Sequence, residues 1–396
     1  MVSLKVLVQR KNELDVDKIN EFIKGIPDAK VVLIYSSVSD ERLSKSFFRS
    51  LAGGLSIPFV ATRVSGTVTN EAYVEDSVVA AVLCGGFDVR VFCERIIYDE
   101  PGRTAEGFAS RLGGWELCLI YSANYYDRNV LLDAVLRGVQ GAHPRLQFFG
   151  GVSAPPPIVA TKDGVFEDHV ACVSINGAGY NFEIDSGFRF DRDRDDESVI
   201  TKSDEHYIYE VDGRSAVDWY SGVQCMRPYF INMLASMLPR PNTSKLMKRL
   251  SGLNEALYRG VLAVCVHTVG CDLGKGVVEF LFTMDVDEKK NRMVVQSYKS
   301  EGTVLKRIMT SKEDQLAVYG RLHGKFPKAK AVIINSCHCS VFWLDFNFKT
   351  LSEEMRKFNC PVVLSFVYGG LGATMPYGGT DKNVLHVGTI KALGFR

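Results

Sequence analysis

One short segment of the sequence holds an unusual density of side chains that could do chemistry. It reads INSCHCSVFW at 334–343 and contains Cys337, His338 and Cys339 in a row. The apolar run before it is typical of a buried strand, so the thiols and the imidazole should emerge at the strand's end. Loops that follow buried strands often bind ligands or carry out catalysis. The alternative is a packed loop without a ligand.

Three kinds of chemistry can be considered for these side chains. Cys337 or Ser336 could serve as a nucleophile with His338 or His386 as base, as in a hydrolase, although no Gly-X-Ser-X-Gly elbow is present. A zinc site needs about four ligands, and the Cys-His-Cys run offers too few, so we expect no metal. A haem iron could be held by His338 or Cys337, and the cofactor is left open. We expect binding more than catalysis.

Two aromatic–glycine turns could approach a ligand closely. FFGGVS at 148–153 and VYGG at 367–370 each follow an apolar run. Glycine lets the backbone come close to a ligand and expose N–H groups, but it also simply permits a tight turn. GCDLGKG at 270–276 superficially resembles a phosphate loop, yet it is one residue short and lacks Ser or Thr after Lys275. We interpret it as a hairpin loop.

The elements that must position these residues occur three times. Apolar runs ending in serine lie at 31–36, 117–122 and 332–336, and each is followed by a predicted helix and a second apolar run with a glycine turn. Such strand–helix–strand units gather equivalent loops at one edge of a sheet, where small ligands usually bind. We therefore expect the serine-ended strands to surround a shared hollow.

The predicted class is α/β (mixed α+β), with two domains of helix-covered mixed β-sheets built from strand–helix–strand–Gly-turn–strand repeats. At 396 residues the chain exceeds one core, and the charged run DRDRDDE at 191–197 reads as a linker. The domains are then 1–193, which holds two repeats, and 198–396.

Several individual elements follow from periodicity and turn residues. Helices are predicted at 15–26, at 39–51 with Ser39 as N-cap, and at 129–139. Strands 77–83 and 87–95 should form a hairpin across Gly85–Gly86. The second repeat should close with strands 169–175 and 180–188, and the third with a strand at 383–390.

Composition excludes several function classes. The net charge is +1, from 47 basic and 46 acidic residues, so we expect neither nucleic acid nor a membrane as partner. No apolar stretch reaches the roughly 18 residues that a membrane-spanning helix needs, and no signal-peptide pattern is present. These features predict a cytoplasmic protein. Four of the ten cysteines, Cys84, Cys118, Cys172 and Cys265, stand in apolar runs and should be buried thiols.

Short motifs in a consistent order resemble those of FIST-domain proteins. VDGRSAVDWY at 211–220 and SEGTV at 300–304 are similar to motifs of the C-terminal FIST half, as are the segments 331–342 and 366–372. FGGVS at 149–153 and VFED at 165–168 are similar to a block of the N-terminal half. Together these motifs span nearly the whole chain.

The resemblance implies a sensory module with a FIST N-terminal and a FIST C-terminal domain. Members of the family are thought to bind small ligands, with amino acids proposed for many and haem for some. Because no output domain is evident in the sequence, a separate signalling protein would be the partner. Members commonly carry Arg shortly after the cysteine and Glu after Tyr-Gly, where this chain has His338, Cys339 and Gly370.

We therefore predict a stand-alone, non-catalytic protein that binds a small molecule. The alternatives are a Cys- or Ser-dependent hydrolase using Cys337 or Ser336, and a protein-interaction scaffold. The predicted ligand-binding residues are Asn335, Ser336, Cys337, His338, Cys339, Tyr368, Gly369, Gly370, Phe149, Gly150 and Gly151.

Overall fold

The computed structural model contains three similar units, the third of which carries an inserted segment. The described residues are 2–123, 129–191, 197–204, 206–223, 269–274, 276–281, 283–297, 299–338, 340–344, 347–368, 370–372, 385–386 and 388–396. Helices and strands alternate along them, which confirms the mixed α/β class. None of the helices in these ranges combines the length and apolar character needed to cross a bilayer.

The first two units have the same order of elements. Unit one comprises β1 (Val2–Arg10), a 3-10 turn (Lys11–Glu13), α1 (Val16–Lys24), β2 (Ala29–Ser36), α2 (Glu41–Gly54), β3 (Phe59–Arg63), β4 (Thr67–Thr69), β5 (Tyr73–Val74) and β6 (Ser77–Gly85). Unit two comprises β7 (Asp88–Arg95), α3 (Pro101–Leu112), β8 (Leu117–Ser122), α4 (Asn129–Ala142), β9 (Gln147–Val152), β10 (Val159–Thr161), β11 (Gly164–Phe166) and β12 (His169–Asn176).

Unit three is interrupted after its first strand, β13 (Tyr180–Asp185). The inserted segment comprises β14 (Arg189–Phe190), β15 (Glu197–Asp204), β16 (Tyr207–Val211), β17 (Arg214–Ser215), α5 (Ala216–Val223), β18 (Val269–Asp272), β19 (Val278–Phe280), β20 (Thr283–Asp287), β21 (Arg292–Val295) and β22 (Val304–Met309). The unit resumes with α6 (Lys312–Lys325), β23 (Ala331–Cys337), α7 (Ser340–Trp343), α8 (Phe348–Arg356), β24 (Val362–Val367), β25 (Gly370–Gly372), β26 (Leu385–His386) and β27 (Ile390–Phe395).

The three units build three six-stranded sheets of identical design. Their orders are β1-β6-β2-β3-β10-β11 in sheet one, β7-β12-β8-β9-β25-β26 in sheet two, and β13-β27-β23-β24-β4-β5 in sheet three. The two central strands of each sheet are parallel, and their neighbours are antiparallel.

The sheets are linked because each unit gives its hairpin to another unit's sheet. The β4–β5 hairpin of unit one pairs with β24, β10–β11 of unit two pairs with β3, and β25–β26 of unit three pairs with β9. Strand β13, which precedes the predicted boundary near residue 193, pairs with the last strand, β27. That boundary therefore does not separate the sheets, and the two-domain division stays a prediction.

The predicted hairpin across Gly85–Gly86 is wrong because the chain passes from one sheet to the next. β6 lies between β1 and β2 in sheet one, whereas β7 pairs with β12 in sheet two. The glycine pair after β6 thus redirects the chain instead of reversing it. The chain passes between sheets again from β12 to β13, which belong to sheets two and three.

Local boundaries also differ from the predictions at two places. Helix α2 begins after Asp40, whose carboxylate accepts from the Leu43 N–H, while the predicted cap Ser39 donates its hydroxyl to Asp76. The closing strand of unit three is Ile390–Phe395, not 383–390. Lys391 and Gly394 interrupt the apolar pattern of this strand, so the pattern did not predict it.

The inner faces of the three sheets share one core, and helices cover the outer faces. Val31, Leu119 and Ile333, one from each sheet, belong to the central cluster. Alternate residues such as Val32, Ile120 and Ile334 pack outward against helices. The alternation of side chains along each strand therefore decides which layer a residue joins.

The inserted segment forms a separate nine-stranded sheet with its own small core. Within it β18 and β19 pair in antiparallel fashion around the 270–276 loop, which confirms the hairpin interpretation of the glycine-rich motif. Of the predicted buried thiols, Cys84, Cys118 and Cys172 are buried. Cys265 lies outside the described residues.

Gly150 is expected to tolerate no side chain. Its φ is 157°, and an added Cβ would lie 1.7 Å from the Ile120 carbonyl oxygen on β8. We expect Gly150→Ala to lower the free energy of unfolding by about 2–4 kcal/mol, because the strand pair must separate or distort. Gly53→Ala, with nothing within 4 Å, should instead raise it by up to about 1 kcal/mol. Urea unfolding followed by circular dichroism measures both, and equal stabilities would contradict the account.

Candidate functional site

The carboxyl ends of the three parallel strand pairs meet in a ring of equivalent backbone hydrogen bonds. The N–H of Ser65 donates to Phe366 O at 2.9 Å, that of Ala154 to Arg63 O at 2.9 Å, and that of Tyr368 to Val152 O at 3.0 Å. Their equivalence follows from the register, which pairs Ser36, Ser122 and Ser336 with Arg63, Val152 and Phe366. We call this arrangement the strand-end ring.

The side chains that converge inside the ring are those just before the serines. The hydroxyls of Tyr35 and Tyr121 lie 2.6 Å apart, and the Asn335 side chain acts to lower the pKa of the Tyr121 phenol. Asn335 Oδ1 accepts from the Ser365 hydroxyl at 2.6 Å. Burial raises the pKa of both phenols, so both keep their protons. Three equivalent positions thus form one buried polar network.

The serines themselves face away from this point, so the expectation of a shared serine-lined hollow is wrong. Ser336 accepts a hydrogen bond from the Tyr319 hydroxyl at 3.3 Å, and Tyr319 belongs to the outer core under α6. Ser36 and Ser122 follow inward-facing tyrosines and point outward by the alternation of a strand. Ser336 is therefore a poor candidate for a nucleophile at the ring.

The structure brings Cys337, His338 and Tyr368 together at the ring, where Asn335 also lies. Cys337 is only 6% exposed, and its N–H donates to Thr389 O at 3.3 Å. The N–H of His338 donates to Val367 O at 2.7 Å, and its imidazole stacks on Tyr368 with ring centroids 4.7 Å apart. The two aromatic rings are half-buried, so solvent reaches the ring on their side.

His338 is an uncharged group at this site. Burial lowers the pKa of its imidazole to about 4. At neutral pH the ring therefore offers one donor and one acceptor nitrogen, and it cannot replace the positive charge of an arginine. It can orient a polar ligand but not neutralise an anionic one.

The glycine turn of unit two has a packing role in the structure. Phe149 belongs to the central core, while Gly150 and Gly151 lie within β9, between β8 and β25. Gly151 is paired with Gly370, and a Cβ there would lie 2.6 Å from Val367. These glycines let β25 approach β9. Cys339 and Gly369 lie outside the described residues.

Sequence reasoning missed a set of buried titratable side chains. The set comprises Asp133, His206, Glu279, Lys299 and Lys391. Lys299 Nζ lies 2.8 Å from Glu279 Oε2 within the inserted segment. Asp133 on α4 lies 3.3 Å from His206 Nε2 and 3.2 Å from Arg137 Nε. The contact between His206 and Asp133 connects the inserted segment to α4, a helix that covers sheet two.

Lys391 is the member of this set that adjoins the predicted site. It pairs with Asn335 across β23 and β27 and shares the inner face with Leu393. Burial lowers the pKa of its amine to about 7, although Glu279, Cys337 and Asp133 act in the opposite direction. A lysine within the apolar run IKALGF, like the aspartate within LLDAVL, was the available sequence signal.

The haem alternative stays a prediction. An axial ligand must present its sulfur or nitrogen to an open cavity. Cys337 is buried on β23, and the Nδ1 atom of His338 is inaccessible. We therefore derive no role through haem.

A measurable groove exists elsewhere on the molecule. Its volume is about 320 Å³, and it lies at the opposite end of β23 from Cys337. Its lining is formed by Asn181, Lys325, Phe326, Pro327, Lys328, Ala329, Gly394 and Arg396. None of the predicted site residues borders it.

Comparison with known proteins identifies the family. Residues 30–214 match the model of the FIST N domain, so this part of the chain is a FIST N domain. This family comprises sensory, ligand-binding signalling domains. The C-terminal FIST half stays a prediction, and no curated protein matches the chain.

One solved structure illustrates how distant the other similarities are. The crystal structure of cyanuric acid hydrolase from A. caulinodans is 8% identical, with 46% of this chain and 71% of that chain covered and a TM-score of 0.26. A similarity at this level carries no argument about function.

Proposed function

We propose that this FIST-domain protein binds a small polar molecule at the strand-end ring, as a sensory module that acts on a separate signalling protein. The observation that supports it is the grouping of polar atoms there. Among the described residues, the buried atoms Asn335 Nδ2, Ser340 Oγ and Thr389 Oγ1 have no hydrogen-bond partner. Buried polar atoms nearly always have a hydrogen-bond partner, and a bound molecule would supply the partners that these atoms lack.

The half-buried pair of His338 and Tyr368 would give the ligand its contact with solvent. The imidazole is neutral, and the phenol ring offers an apolar face. A ligand held by these groups should be uncharged and planar, or carry its charge away from His338. The missing arginine and glutamate of the family pattern agree with this preference, because no Arg–carboxylate pair is available there.

The test is thermal unfolding of the full chain against amino acids, nucleotides and uncharged heterocycles. A ligand at about 100 times its Kd should raise the Tm by about 3 °C in a chain of this size. His338→Asn should remove the shift, whereas His143→Asn should keep it, because His143 only bonds Ala109 O far from the ring. A shift that survives His338→Asn but is lost on changing Arg396 would move the site to the groove and reject the proposal.

The scaffold alternative predicts an exposed apolar patch. In the described part of the chain, the exposed large hydrophobic residues are Ile97, Val199 and Val304, each less than 40% exposed. Val199 and Val304 are neighbours on β15 and β22, and Ile97 follows β7 in another sheet. Single exposed residues of this kind are normal on soluble proteins and do not favour a docking surface.

A further inference from the structure

Four residues form a continuous polar patch on the inner face of β23 and β27. Asn335 is directly opposite Lys391, and two residues further along β23 the Cys337 N–H donates to the carbonyl oxygen of Thr389, the residue before β27. Opposite residues of an antiparallel pair point to the same side, as do residues two apart on one strand. Cys337, Asn335, Lys391 and Thr389 therefore share one small area next to the strand-end ring.

The amine of Lys391 can reach the thiol of Cys337. The two residues are diagonal neighbours, whose Cα atoms are about 7–8 Å apart in such a pair, within the reach of a lysine side chain. Cys337 is one of the groups that act to raise the pKa of the amine. Both side chains are buried, and the charged groups that act on the amine from other elements are Glu279 and Asp133.

We propose that Cys337 and Lys391 form a nucleophile–base pair that cleaves small carboxylic acid derivatives, such as amides or esters. The side-chain N–H of Asn335 and the hydroxyl of Thr389 would stabilise the oxyanion. These two atoms have no hydrogen-bond partner among the described residues, and both are buried. Unsatisfied buried donors next to a nucleophile match what an oxyanion site requires.

The reaction is balanced without any further reactant except water. Lys391 accepts the thiol proton, and the thiolate sulfur forms a bond to the carbonyl carbon. The tetrahedral oxyanion collapses, the bond to the leaving nitrogen or oxygen breaks, and Lys391 returns the proton to the leaving group. Water then attacks the thioester, Lys391 takes its proton and delivers it to the departing sulfur, which yields the acid and the free thiol.

A lysine acts as a base only if it is uncharged in part of the population. Burial brings the pKa of Lys391 to about 7, so a substantial fraction is neutral at physiological pH. Ser336, the alternative nucleophile, faces the outer core and Tyr319. The geometry therefore selects the cysteine and supplies a base that is neither His338 nor His386.

Two reagents separate the base from the oxyanion donors. Iodoacetamide alkylates a thiolate without forming an oxyanion, whereas p-nitrophenyl acetate acylates it through one. Peptide mapping by mass spectrometry gives the rate at Cys337 for each reagent in the full chain at pH 6–9.5. We expect Lys391→Met to slow both reactions at pH 7.5 by at least tenfold, and Lys330→Met, an exposed lysine before β23, to change neither.

Thr389→Val should slow acylation by about 100-fold while the alkylation rate stays within about twofold. Cys337→Ala identifies the modified residue, and circular dichroism shows that each variant is folded. Equal rates in Lys391→Met and the native protein, or a Cys337 that reacts only when the chain is unfolded, would overturn the proposal. Such a result would not reject the proposed ligand binding. That proposal is tested by the thermal shift, which does not depend on a covalent adduct at Cys337.

Discussion

Replacing Lys299 by methionine is expected to lower the free energy of unfolding by about 3–5 kcal/mol. The Lys299 amine and the Glu279 carboxylate lie 2.8 Å apart, and both side chains are almost fully buried. The amine also donates to the Ser297 hydroxyl at 2.8 Å. Removing one partner of a buried pair leaves an uncompensated charge, and this cost exceeds the value of the pair itself.

The reason given for this loss can be separated from a general effect of the mutation. The double variant Lys299→Met/Glu279→Leu should recover most of the lost stability, because neither charge is then left alone. Lys357→Met serves as the control, since Lys357 is largely exposed in its pair with Glu354 and should change stability by less than about 1 kcal/mol. Urea unfolding gives all values. A single variant as stable as the control would show that the pair is not energetically coupled.

The elements of the fold could be predicted where periodicity is strong. The helix predicted at 129–139 is α4, and the repeated apolar runs became β2, β8 and β23, the central strands of the three sheets. Local spacing of apolar residues carries this information because each run must be buried on both faces.

The way in which the strands are paired could not be predicted. β7 does not pair with β6 but belongs to sheet two, where it pairs with β12. The β4–β5 hairpin pairs with β24, almost 300 residues later in the chain. Both pairings depend on which surfaces meet in three dimensions. No turn signal encodes this, and Gly85–Gly86 even suggested the opposite.

The candidate site was found in part for the same reason. The loop after a buried strand led to the prediction of Cys337 and His338, and the aromatic–glycine turn led to that of Tyr368, which stacks on the imidazole. The serine at each strand end is conspicuous in the sequence, yet the residue before it is the one that faces the ring. Lys391 was overlooked because a lysine in an apolar run is normally read as an exposed strand position.

Lys391→Met should stabilise the protein at neutral pH, in contrast to Lys299→Met. The Lys391 pKa falls from 10.5 to about 7 on folding because burial disfavours the charged amine. Between these two values the unfolded chain binds a proton that the folded chain does not. The free energy of unfolding therefore rises with pH across this window. The cost of deprotonating Lys391 on folding is fully present below about pH 7 and is absent above about pH 10.5.

The difference in free energy of unfolding between Lys391→Met and the native chain isolates this lysine, since packing changes are independent of pH. The free energy of unfolding of Lys391→Met minus that of the native chain should be about 3 kcal/mol larger at pH 6.5 than at pH 9.5. An ordinary thiol titrates within this window, so the comparison is repeated with Cys337→Ala in both chains. Glu279 and Asp133, the carboxylates that act on the amine, are present in both chains. A difference that does not vary with pH would mean that Lys391 keeps its proton on folding, and it could then not act as the base for Cys337.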